Sequence, residues 1–387
     1  MPPLRVLHVI PSVSPRDGGP TRAIGIIERA LREAGVEVTT LTTDHELDLQ
    51  GTSCAPAATN GVRRIYAHKS LDPYKVAPGL LPRLIEAVQT HDVVHIHALF
   101  SFASTAAAWV ARRRRVPYVV RPLGTLGGYG IRTRRRWLKL LSMALIEGPI
   151  LRRAAAVHFT SRAEHEEACA LGLPMRGVVI PLGIDADVGP PAAPMAHVAL
   201  AGRRAILFLS RLDPKKNVAA LIDAVASSPM LRRSCALILA GTGEPRYVAS
   251  LKARAAAAGL SDLTVWLGHV EGAQKRAAFA AADVFVLPSF SENFGIAAIE
   301  ALLAGVPCVL GKGVAVAREV EEAGAGLAIA PEPPAIARAL EFLLGDEGVR
   351  SGMSAAGAAF ASREYSAQTM ARRLLALYGE IRRCSAP

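Results

Sequence analysis

Short β-branched apolar runs alternate with amphipathic stretches along nearly the whole chain, and the alternation runs through twice. In the first half, strand-like runs lie at 5–10, 36–43, 92–98, 117–122 and 156–161, with helical patterns at 21–34, 82–88, 104–113 and 134–151 between them. Strands separated by helices build β-α-β units, whose parallel strands are buried on both faces. A Pro- and Ala-rich stretch at 185–198 interrupts the pattern. The plan then restarts, with strand-like runs at 205–210, 235–240, 263–268, 283–288, 307–311 and 326–330.

This predicts an α/β fold of two Rossmann-like, doubly wound parallel-sheet domains. Residues 1–185 form the first, 186–198 a linker and 199–365 the second. A last helix over 366–387 carries an apolar stripe of Met370, Leu374, Leu377 and Ile381. Packing back on the first domain is one way to cover that stripe, although periodicity alone does not choose between the domains. Ligands of such sheets bind beyond the carboxyl ends of the strands, so two facing domains predict a cleft site.

Composition narrows the class. With 51% hydrophobic residues the chain can bury a large core. No apolar run approaches the ~18 residues of a membrane span, and the N-terminal segment reads as a first strand, not a signal peptide. Five scattered cysteines suggest a reducing, cytoplasmic setting. The net charge is +12 and uneven. Residues 112–153 hold 12 basic side chains and one acid, Glu147. Such a cluster predicts an anionic partner.

The candidate chemistry clusters in the second half. "SRLDPKKN" follows a strand, and Arg211 and Lys216 in that loop suit a diphosphate. "AGTGEPRY" offers a Gly-Thr-Gly turn for close backbone approach. "SENFGIAAIEALLAG" places Glu292 before a helix that starts near Phe294 or Gly295, and Glu300 within it. The helix start presents N–H groups and a positive dipole end. The carboxylates can accept from vicinal hydroxyls. Anion-binding N–H groups flanked by diol-binding carboxylates outline a sugar nucleotide. Gly18 and Gly19 precede the first helix but form no G-x-G-x-x-G fingerprint, which disfavours a nicotinamide or flavin.

These motifs, with "DGGPTR" at 17–22, "HIH" at 95–97, "IPLGID" at 180–185 and "LGHV" at 267–270, resemble glycosyltransferase family 4 over almost the whole chain. The resemblance implies the GT-B fold and a retaining, metal-independent transferase with no cofactor. It implies that Arg211 and Lys216 bind the donor diphosphate, that Glu292 contacts the donor sugar, and that Glu300 holds the ribose. Asn293, Phe294, Gly295 and Ile296 would support sugar and phosphate through their backbone. Val270 would lie beside the base, and Gly18 and Gly19 would approach the diphosphate. His97 and Arg121 are candidate acceptor or sugar contacts, with Arg121 standing where many members carry His.

The expected partners are a UDP- or GDP-hexose, a glycan acceptor, lipid-linked in bacterial polysaccharide synthesis, and the anionic inner face of the plasma membrane. Competing readings are a sugar-nucleotide 2-epimerase of the same fold, an inactive sugar-nucleotide-binding subunit and a basic nucleic-acid-binding protein. The last lacks any binding motif, so no nucleic-acid partner is expected. Asp185 and Asp187 form D-x-D, but at the linker. His95 and His97 lack a third metal ligand in register, so no metal is expected.

Overall fold

The computed structural model describes residues 3–14, 19–45, 57–59, 61–71, 73–126, 136–184 and 193–385. The chain forms two units. One comprises Met1–Gly183 with Ala367–Pro387, the other Ile184–Ser366.

In the first unit the order is β1 (Arg5–Val9), α1 (Gly19–Glu33), β2 (Glu37–Thr43), β3 (Ala57–Thr59), β4 (Val62–Ala67), α2 (Leu80–Gln89), β5 (Val93–His97), α3 (Phe102–Arg113) and β6 (Tyr118–Arg121). Helix α4 (Arg136–Ser142) then runs through a π-helical turn (Met143–Glu147) into α5 (Gly148–Arg153), followed by β7 (Ala156–Phe159), α6 (Arg162–Cys169) and β8 (Gly177–Val179). The sheet order is β3-β4-β2-β1-β5-β6-β7-β8. All neighbours are parallel except the β3–β4 pair. Strands β5, β6 and β7 are buried at every position, as strands covered on both faces must be. Strands β3, β4 and β8 were not expected. β4 carries Arg63 and Arg64 and is half-exposed near the sheet edge, so it shows no continuous apolar run.

The second unit runs β9 (Arg204–Leu209), α7 (Val218–Ser227), α8 (Pro229–Ser234), β10 (Cys235–Ala240), α9 (Pro245–Ala257), β11 (Thr264–Gly268), α10 (Gly272–Ala281) and β12 (Val284–Leu287). It continues with α11 (Ile296–Leu303), β13 (Cys308–Gly311), α12 (Ala317–Glu322), β14 (Gly326–Ile329), α13 (Pro333–Gly345) and α14 (Glu347–Glu364). All six segments expected to be strands are strands, wholly parallel, in the order β11-β10-β9-β12-β13-β14.

Helix α15 (Ala367–Ser385) returns to the first unit and packs on α1. Met370, Leu374, Leu377 and Ile381 are all buried there. Of the expected linker, 186–192 lie outside the described residues, as does the D-x-D pair. Its last part is already second-unit structure, since the Met195 N–H donates to the carbonyl of Ala277 at 3.2 Å.

Candidate active site

The second sheet reverses direction at β9, with β10 on one side and β12 on the other. At such a switch point the connections from the two strands lead away in opposite directions, and ligands bind beyond the carboxyl ends. The loop after β9 carries Arg211 and Lys216, and the loop after β12 carries Glu292. The Phe290 N–H donates to the Lys215 carbonyl at 3.0 Å, so the two loops lie against each other.

Asp213 caps a 3-10 turn over Pro214–Lys216, accepting from the Lys215 N–H at 2.9 Å. Asn217 leaves that turn in the left-handed conformation, φ 58°, and its amide donates to the Pro331 carbonyl at 2.7 Å. The turn thereby aims the buried Lys216 ammonium at the Glu292 carboxylate, with which it forms a direct ion pair. Burial, aided by the neighbouring cations Arg211 and Lys215, pulls the Lys216 ammonium down to about 8. The Asp213 carboxylate opposes that loss of charge. Arg211 itself is exposed at the loop edge.

Glu292 is strapped in place by its backbone. Its N–H donates to the Gly313 carbonyl at 2.8 Å, and its carbonyl accepts from the Ala315 N–H at 3.0 Å. A Cβ on Gly313 would overlap the Phe290 carbonyl, so the strap needs glycine there. Gly295, φ 97°, turns the chain into α11, which begins at Ile296. The first N–H groups of a helix have no intrahelical acceptor, and here they open beside Asn293 and Phe294.

Glu300 follows one turn into α11. Lys275 of α10 donates to its Oε1 at 3.0 Å, and both side chains are largely buried. Sequence reasoning missed Lys275, since nothing in the spacing from 275 to 300 signals a contact between two helices. Val270 is buried just before α10. The Gly-Thr-Gly turn packs closely against the β9 loop. A Cβ on Gly241 or Gly243 would overlap the carbonyl of Ser210 or Leu212, and the Leu212 N–H donates to the Thr242 carbonyl at 2.8 Å. These glycines let the turn press on the β9 loop and support Arg211 from behind.

In the first unit, Gly18 lies outside the described residues. Gly19 opens α1, exposed, with no atom within 4 Å of the place a Cβ would take. His97 ends β5 and Arg121 ends β6, and both are buried. His95 and His97 share one face of the sheet, facing a polar layer that the sequence did not reveal. His8 Nδ1 and His97 Nε2 are 2.8 Å apart, one donating and the other accepting. His158 Nε2 lies 2.8 Å from the Ile180 carbonyl and must donate to it. Its Nδ1 is then bare and accepts from His95 Nε2 at 3.4 Å, so the Tyr378 hydroxyl of α15 donates to His95 Nδ1 at 2.7 Å.

His8 also corrects the expectation that no third imidazole stands near His95 and His97. One ring nitrogen from each of the three lies within 4.8 Å of the others. The cluster is fully buried, and Arg121 beside it lowers the proton affinity of His8 and His97 further. A guanidinium that disfavours a proton there disfavours a divalent ion more strongly. Arg121 is itself pulled down to about 10 by burial, against the pull of Glu164.

Residues 196–360 match the family model of glycosyl transferases group 1, and residues 18–183 match that of the glycosyl transferase 4-like domain. Over 354 residues the chain is 29% identical to D-inositol 3-phosphate glycosyltransferase of Xylanimonas cellulosilytica, which takes in 86% of this chain and 78% of that one. Over 204 residues it is 33% identical to phosphatidyl-myo-inositol mannosyltransferase of Mycobacterium leprae, covering 52% of this chain and about half, 53%, of the relative. Among solved structures, Anabaena HepE in complex with UDP superposes with a TM-score of 0.76 at 19% identity, over 97% of this chain and 100% of that one. Sucrose-phosphate synthase from Thermosynechococcus elongatus gives 0.74 at 20%, over 98% and 100%. At these identities the structural likeness is one of fold.

Proposed function

The chain belongs to the glycosyl transferases of group 1 and is a glycosyltransferase, and on that premise we propose that it moves a hexose, with retention, from a nucleotide-diphosphate sugar to a glycan acceptor. The observation that carries this reading is the meeting of the β9 and β12 loops at the second sheet's switch point. That meeting sets Arg211, Lys216, Glu292 and the start of α11 within one crevice. Lys216 and Lys275 neutralise the two carboxylates, Glu292 and Glu300. A diphosphate entering beside Arg211 takes over Lys216 as its counter-ion. Glu292 is then released to accept from hydroxyls of the donor sugar. Glu300 takes the ribose diol, and the first N–H groups of α11 take phosphate oxygens. Arg211 and Lys216 hold charge where the leaving diphosphate develops it, and that is the electrostatic work a metal ion would otherwise do. The reaction needs neither metal nor cofactor in this reading.

Two relatives bear names that join a sugar transfer to an inositol phosphate or to a phosphatidyl lipid. With the basic run 112–153, they support a lipid-linked acceptor in polysaccharide synthesis and a peripheral place at the inner face of the plasma membrane. No helix among the described residues is long and apolar enough to cross a membrane.

The testing experiment is a thermal-shift panel of UDP, GDP, ADP and their sugars, followed by transfer to a lipid-diphosphate glycan. Stabilisation by one nucleoside diphosphate, and its release from the sugar only with acceptor present, is expected. No stabilisation by any of them would overturn the reading. Release without acceptor, with epimerised sugar, would instead favour the epimerase.

A further inference from the structure

The helical run 136–153 connects β6 to β7, and a crossover helix ordinarily turns its apolar side chains to the sheet. Here it does not. Leu138, Leu140, Leu141, Leu145 and Ile146 are 40, 49, 51, 68 and 36% exposed. Leu138, Leu141 and Leu145 recur at helical spacing and form a stripe. Tyr74 and Trp109 extend it. The Tyr74 hydroxyl lies 3.5 Å from Ser142 Oγ, between Leu138 and Leu145 on that face, and Tyr74 is itself part-exposed. The turn that carries it, Pro73–Lys75, packs against α3, on which Trp109 is exposed. The Arg113 guanidinium lies 5.0 Å from the Trp109 ring centroid.

The charge on this surface has one sign. Residues 112–153 contain a single acid, Glu147, and it is fully buried. Its Oε1 accepts from the Tyr74 hydroxyl at 2.7 Å and from the Phe100 N–H at 3.1 Å. Arg112, Arg113, Arg114 and Arg115 are all exposed at and just beyond the end of α3. Among the described residues of 112–153, exposed apolar side chains therefore stand with exposed cations and no exposed carboxylate.

We infer that this face docks on an anionic lipid bilayer, with Leu138, Leu141 and Leu145 entering the boundary between headgroups and acyl chains. The inference deepens the peripheral-membrane reading above and rests on it. Apolar side chains beside a uniformly basic surface match the two layers of an anionic leaflet. A second copy of the chain would set cations against cations. A nucleic acid would satisfy the arginines and leave the leucines in water.

The test is flotation of the full chain with vesicles of phosphatidylglycerol and phosphatidylcholine, or of phosphatidylcholine alone, at low and high salt. The variant is L138S/L141S/L145S, whose exposed positions leave the fold intact. Nucleoside diphosphate binding by thermal shift is measured on the same samples. The expected results are binding to the anionic vesicles that salt weakens, and a loss of roughly tenfold or more in the triple variant. Nucleotide binding should be unchanged in that variant.

If the variant binds as the parent does, adsorption is by arginines alone and this inference fails while the peripheral reading survives. If the parent ignores anionic vesicles at low salt, both fail. If the parent is a dimer that the triple substitution dissolves, the face belongs to a second copy and the inference is overturned. Absence of nucleotide binding in the parent would count against the transferase reading separately.

Discussion

Lys216 and Glu292, 76 positions apart in the chain, meet in a direct ion pair between the loops after β9 and β12. Each is the other's counter-ion until a ligand arrives, so their substitutions should not behave independently. Lys216→Ala is expected to weaken nucleoside diphosphate binding by about tenfold to a hundredfold, the worth of a desolvated charge-assisted bond. Glu292→Ala should lower kcat and leave diphosphate affinity unchanged or tighter, since it frees Lys216. Calorimetric titration of both single variants and the double variant checks this. Weaker diphosphate binding in Glu292→Ala would refute the exchange of partners.

Lys275 and Glu300 should act on binding rather than on turnover. Ribose contacts exist in ground and transition states alike, so Glu300→Ala or Lys275→Met should raise KM for the donor by about tenfold, with kcat little altered. Lys275→Arg should recover most of that loss. Equal falls in kcat for both variants would move this pair from nucleotide binding to the chemical step.

Donor binding should depend on pH through Lys216. Burial pulls its ammonium down to about 8, and a diphosphate binds the charged form. Affinity is therefore steady below pH 8 and falls by about tenfold per unit above it. Lys216→Arg keeps the charge and should abolish that fall. A pH series of nucleotide dissociation constants from 6 to 9.5 decides the matter.

Acid should unfold the first unit through its histidine layer. Burial holds His8 and His158 at about 3, whereas the unfolded chain titrates near the usual 6.5. Stability is complete above pH 6.5 and is lost as pH falls toward 3, because only the unfolded state takes up the protons. The slope is about 1.4 kcal/mol per pH unit for each histidine. Urea melts between pH 7 and 4.5 should show it, and His158→Asn should flatten it. An unchanged slope would mean that the layer is already open to protons.

Activity should survive EDTA in full. The imidazoles of His8, His95 and His97 lie close enough to share an ion, but Arg121 faces them and none is near the second unit's crevice loops in sequence. Loss of activity in EDTA, restored by magnesium or manganese, would overturn the metal-free reading.

Much of this protein was legible without coordinates. Continuous apolar runs specify strands buried on both faces, so all six strands of the second sheet could be read directly, as could Arg211, Lys216 and Glu292 in the loops after β9 and β12 and Glu300 in the helix that follows. Local pattern could not show strands that are half-exposed, such as β4 with Arg63 and Arg64. Nor could it show contacts closed by sheet order. Lys216 meets Glu292 because β9 and β12 are neighbours, and Lys275 meets Glu300 because the connections before and after β12 bring the two side chains within reach. His8 reaches His97 because β1 and β5 pair, and Tyr378 joins them only once the last helix has returned to the first unit. A sequence fixes which side chains are available and the period at which they repeat. Which of them share a site depends on strand order and helix packing, and those are set by the burial of the whole chain rather than by any segment of it.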